Sequence, residues 1–116
     1  MPLQCIHIVI NGGNITATGG SGAPGIGASL CGGCGTITFN GGTTVATGSS
    51  NYGNNYYGIG AGNYNCRCGN IYFNNGASGC SVTANGGVSS GSGYWSVYID
   101  GVESNPGDNP FVYPQP

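Results

Sequence analysis

Three segments of the chain are versions of one another: INGGNITATGG (Ile10 to Gly20), FNGGTTVATGS (Phe39 to Ser49) and FNNGASGCSVTANGG (Phe73 to Gly87), the last with extra residues. Between them PGIGA (Pro24 to Ala28) matches YGIGA (Tyr57 to Ala61). CIHIVIN from Cys5, CGTITFN from Cys34 and CGNIYFN from Cys68 fill one further slot. The match makes Cys5, Cys34 and Cys68 equivalent, and likewise Asn11, Asn40 and Asn74, at spacings of 29 and 34 residues. A period of this size means one supersecondary unit stacked on itself.

The unit is not helical. No window shows apolar residues at helical spacing, and 26 glycines in 116 residues interrupt every candidate. The glycines do not recur every third residue, so a collagen helix is excluded. The runs IHIVI, NITAT, TITF, TTVAT, NIYF and WSVYI are β-branched and alternate in part. They read as strands separated by NGG and GG turns, with glycine at the corners. Stacked units place equivalent residues ~4.8 Å apart, a spacing at which like charges repel and Asn can bond Asn. Thr and Val pack well on such a surface.

Charge is correspondingly scarce. There is no Lys; Arg67 is the only fixed side-chain charge before Asp100, and Asp100, Glu103 and Asp108 follow it. A nucleic-acid partner is excluded, because phosphate contacts need Lys and Arg. The Tyr, Thr, Val and Ile content argues against disorder. No apolar run has the length of a membrane span. MPLQCIHIVI lacks the basic start and apolar centre of a secretory signal, whereas six cysteines fit an oxidising destination. Either a signal was removed, or the protein reaches the outside without one, as virus particles released by lysis do.

The cysteines Cys5, Cys31, Cys34, Cys66, Cys68 and Cys80 are the candidates for disulfides. Cys31-Gly-Gly-Cys34 and Cys66-Arg-Cys68 fall at corresponding corners, where stacking brings Cα atoms within bridging range. Cys31–Cys66 is the favoured bridge, with Cys34 pairing Cys5 or Cys68; Cys80 has no evident partner. A structural zinc site from the CxxC and CxC pairs with His7, or free buried thiols, are the alternatives. The expectation is no metal and no cofactor, with His7 packed or exposed on its strand.

Catalytic patterns are weak. GSGAPG (Gly20 to Gly25) matches GxGxxG, but no helix follows and no acid lies about 20 residues on. One His and three late acids form no Ser-His-Asp set and no evident glycosidase pair. The chain is read as not an enzyme. SSNYGNNYYGIGAGNYN (Ser49 to Asn65) sets Tyr52, Tyr56, Tyr57 and Tyr64 among Asn, Ser and Gly. That is a mix used by adaptable binding loops, and equally one that covers a thin core. TAT at Thr16 to Thr18 and TIT at Thr36 to Thr38 resemble the Thr rows of ice-binding solenoids, although packing explains them as well. Asn14-Ile15-Thr16 is a glycosylation acceptor pattern.

INGGNITATGG, GAPGIGA and CGTITFNGG resemble the glycine-rich INGG, TATGG and GIGA repeats of large secreted bacterial proteins of carbohydrate-binding-domain type. The resemblance spans roughly residues 6 to 87 and implies a parallel β-helix. A second likeness, to glycine-rich tips of phage fibres, rests on Gly, Asn and Tyr content. The chain is shorter than such arrays, and its six Cys and Pro-rich end are departures from them.

The sequence thus predicts an all-β, right-handed parallel β-solenoid of about three coils over residues 1–99. Val88 to Ile99, with Tyr94, Trp95 and Tyr98, is expected to cap it. Residues 100–116 read as an extended Pro-rich arm, either free or docked on a neighbouring subunit, with Pro106, Pro110, Phe111 and Tyr113 as its assembly candidates. The expected function is a non-enzymatic structural component of an extracellular assembly, most specifically a virion (phage) decoration or fibre protein. Its partners would be copies of itself or other assembly subunits, without membrane insertion, at an extracellular or virion-surface location. The alternatives are a glycan-binding adhesin using the loop 49–65, and an ice-binding solenoid.

Overall fold

The computed structural model of the chain describes residues 7–20, 23–28, 33–51, 54–55, 57–61, 67–89, 97–104 and 109–114. It is all-β. The first repeat gives β1 (Ile8–Ile10), β2 (Asn14–Thr18) and β3 (Ile26–Ala28). β4 (Gly33–Cys34) leads into β5 (Ile37–Phe39) and β6 (Thr43–Thr47). An insertion, β7 (Ser50–Asn51) with β8 (Asn54–Asn55), precedes β9 (Ile59–Ala61). β10 (Arg67–Cys68), β11 (Ile71–Phe73), β12 (Ser81–Asn85) and β13 (Val88–Ser89) run through the order again. β14 (Val97–Ile99), β15 (Val102–Ser104) and β16 (Phe111–Tyr113) complete the described chain. One 3-10 turn, Gly76–Ser78, is the only helical element among the described residues.

The repeats find each other in register. The first sheet has the order β1-β5-β11-β14-β15, parallel except for β15. The second is β2-β6-β12, parallel, with β16 added antiparallel. The third is β3-β9-β13, parallel. Ile8, Ile37, Ile71 and Val97 align in one row of the first sheet, and Ile10, Phe39, Phe73 and Ile99 in another. GIGA meets GIGA, with Ile26 opposite Ile59. The residue matches read from the sequence are therefore the strand register.

Alternation decides which side chains go inside. In TTVAT and SVTAN the second and fourth residues are buried: Thr44 and Ala46, Val82 and Ala84. ITF and IYF bury their first and third. The core is then a set of ladders, with Phe39 stacked on Phe73 at 5.1 Å and nearly parallel. Gly27 and Gly60 are paired in register across β3 and β9. Both are extended at positive φ (139° and 116°). A Cβ on Gly27 would overlap the carbonyl oxygen of Gly60, and one on Gly60 that of Ser89. The glycine of GIGA is thus required twice over, by conformation and by space.

The C-terminal part departs from the sequence expectation. Val97–Ile99 continues the first sheet as its fourth parallel strand. The chain then turns at Asp100-Gly101 (φ 52° and 82°), and β15 returns antiparallel on β14. Two residues at positive φ are what a tight two-residue hairpin requires, and Asp-Gly supplies them. Phe111 and Tyr113, expected on an arm reaching a neighbour, are fully buried in this chain's own core. Phe111 packs on Phe73 at 4.8 Å and Tyr113 at 5.5 Å. The physical reason is alternation: Phe-Val-Tyr presents two large rings to one face, and burying them outweighs leaving the segment extended. Pro110 is exposed just before β16; Pro106 lies outside the described residues, as do Tyr94 and Trp95.

Candidate functional site

The structure distributes the sequence candidates as follows. Cys34 and Cys68 are opposite one another in the parallel β4–β10 pair, as their equivalence requires. Cys5, Cys31 and Cys66 lie outside the described residues. Cys80, a candidate for cross-linking, is instead a free, buried thiol. Burial pushes its pKa up, and the Asp100 carboxylate adds to the effect. A thiol so held is a poor nucleophile. Of the loop tyrosines, Tyr57 is exposed, and Tyr52, Tyr56 and Tyr64 lie outside the described residues. That loop contains an antiparallel pair, Ser50 opposite Asn55 and Asn51 opposite Asn54.

His7 is exposed and held by Thr36, one repeat on. Its Nδ1 accepts the Thr36 backbone N–H at 3.1 Å and lies 2.9 Å from Thr36 Oγ1. Among the described residues no three His, Cys, Asp or Glu side chains gather as metal ligands would. TAT and TIT do not form one row. Thr16 belongs to the second sheet, opposite Val45, whereas Thr38 belongs to the first, opposite Val9 and Tyr72.

The outward polar side chains engage one another across the repeats. Asn40 donates to Asn11 and Asn74 donates to Asn40, each at 3.0 Å, giving the expected amide ladder. Asn85 donates to Thr47 Oγ1 at 3.1 Å. Tyr72 and Tyr98 stack at 5.3 Å, and Asn70 donates to the Tyr72 hydroxyl at 3.0 Å. This outer tyrosine pair was legible only as the register of NIY with VYI.

A second cluster was missed altogether. The Tyr113 hydroxyl donates to Asp100 Oδ1 at 2.6 Å and accepts the Gly76 N–H at 2.8 Å. Asn109 Oδ1 accepts the Gly86 N–H at 2.9 Å and ties the start of β16 to the turn after β12. Burial, reinforced by the bond to Asp100, raises the Tyr113 phenol to about 12. The group stays protonated through the neutral range and serves as a clamp. The signals were the Asp-Gly hairpin pair, which lies outside the repeat, and the Phe-Val-Tyr alternation, overshadowed by the prolines on either side of it.

The remaining feature is an edge. β1, β2 and β3, consecutive in the chain, are each the outermost strand of their sheet. Ile8 N–H donates to Thr36 O at 2.9 Å and Ile10 O accepts Asn40 N–H at 2.8 Å. Backbone groups alternate sides along a strand, so Val9 turns its N–H and C=O away from β5. In the same way Gly13 O and Gly19 N–H face the second repeat, at 2.8 Å from Thr43 N and Thr47 O. Asn14, Thr16 and Thr18 therefore point their backbone groups outward. Comparison with protein-family models, with curated proteins and with solved structures found no match.

Proposed function

We propose that the three parallel sheets are the faces of a right-handed parallel β-solenoid of about three coils, and that the protein is a non-enzymatic structural component of an extracellular assembly. A virion decoration or fibre protein is the most specific form of this reading. What supports it is the use made of the polar side chains. His7 with Thr36, Asn40 with both Asn11 and Asn74, and Thr47 with Asn85 each bind a neighbour one repeat away. Such contacts add cohesion along the stack. They do not converge on a point where a substrate would sit. The lack of fixed charge before Asp100, Arg67 apart, limits repulsion between molecules packed together.

The test is the native mass of the purified protein, by sedimentation, unreduced and then reduced. The reading expects a complex of two or more chains. A single chain at all concentrations would overturn it. Removing residues 105–116 is no test of assembly, because Phe111 and Tyr113 belong to the core.

A further inference from the structure

Resting on the assembly reading, we infer that the outer edges of β1, β2 and β3 form a docking surface for a second copy of this chain, edge against edge about a twofold axis. The edges read IVI, NITAT and IGA, without Lys, Pro or acid. Soluble β-proteins usually blunt an edge with charge, proline, a bulge or a covering segment. The chain covers β14 with β15 and β12 with β16. Among the described residues no strand covers the outer side of β1, β2 or β3.

Three observations choose a second copy as the occupant. The backbone groups turned outward at Val9, Asn14, Thr16 and Thr18 form a neutral row of donors and acceptors. Its complement is another uncovered neutral row, and these same edges are one. The layer behind the row is apolar and incompletely covered: Ile8, Ile15 and Ile26 pack on the core but are only partly buried. A twofold mate supplies the same residues to close it. Charge then fixes the direction. Asp100 and Glu103 flank the covered side, at β14 and β15, and Asp108 follows in sequence. Joining the uncovered edges keeps these acids apart, whereas joining an uncovered edge to β15 sets Glu103 into the contact. Twofold contact is also closed, so the product is a dimer and not a fibre.

Thr16→Pro tests the mode of contact. The Thr16 N–H faces away from β6, so proline there removes no hydrogen bond of the β2–β6 pair, yet it removes a donor from the edge. Sedimentation of the full wild-type chain is expected to give twice the chain mass, and Thr16→Pro the single mass. Hydrogen exchange on the wild type supplies an independent readout, needing no variant to fold. The Val9 and Thr16 amides should exchange more slowly as concentration rises. An assembly that persists in a folded Thr16→Pro, or amides whose exchange ignores concentration, overturns this docking surface and leaves the assembly reading standing. A wild-type chain that stays single at every concentration overturns both.

Discussion

The two sides of the molecule are built from the same repeat and finished differently. On one side β15 and β16 lie antiparallel across the stack, Phe111 and Tyr113 fill the core, and the Tyr113 hydroxyl fastens the segment to Asp100 and Gly76. On the other side Ile8 and Ile15 are half-covered, while Ile37 and Val82, their equivalents further in, are fully buried. A repeat does not carry its own termination. Each unit completes the one before it and leaves the same demand behind. The difference lies in whether the chain itself answers that demand.

The largest test of this contrast removes a ring from the closed side. Phe111→Ala should cost about 3–5 kcal/mol in urea unfolding, and Ile15→Ala on the other side no more than about half of that. Equal losses would mean that β16 contributes no more than an edge residue does. Next comes the clamp. Tyr113→Phe leaves the Gly76 N–H without its acceptor and should cost about 1–3 kcal/mol at neutral pH. The wild type should also weaken in alkali. The folded phenol ionises near 12, above the ordinary 10, so the unfolded chain loses its proton first. The stability Tyr113 contributes is therefore whole below pH 10 and lost as pH rises from 10 toward 12. Unfolding curves across that range should slope for the wild type and lose that component in Tyr113→Phe.

Smaller effects sharpen the picture inside the stack. Thr44 Oγ1 is buried with no hydrogen-bond partner among the described residues. Thr44→Val, which keeps the shape, should stabilise the protein by about 1 kcal/mol in the same unfolding assay. Asn40 sits mid-ladder and bonds both Asn11 and Asn74, whereas Asn11, at the end of the ladder, bonds Asn40. Asn40→Ala should then cost about 1 kcal/mol, and Asn11→Ala about half as much, in thermal melts.

Much of the middle of the fold was legible in the residues. The spacings of 29 and 34 set the register of the first sheet, and the Asn ladder followed from them. Those readings hold because a stacked repeat turns sequence equivalence into spatial adjacency. The ends carry no such redundancy. Nothing repeats DNPFVYP, so its two inward rings had to be read from one short alternation between prolines, and proline content suggested an arm instead. Asp100-Gly101 is a hairpin signal that stood outside the repeat and was passed over. The Thr triplets lie apart for a related reason. TAT and TIT share composition but fill different slots of the unit, and only the slot decides which sheet a strand joins.

The third repeat carries extra residues at one corner. Between the second and third repeats the offset is 34 residues in the first sheet but 38 in the second. The surplus forms the short turn Gly76–Ser78, and Gly76 is where the Tyr113 hydroxyl lands. The lengthened corner thus serves two ends at once: it takes up the surplus residues, and it presents the N–H on which the closing strand β16 is fastened.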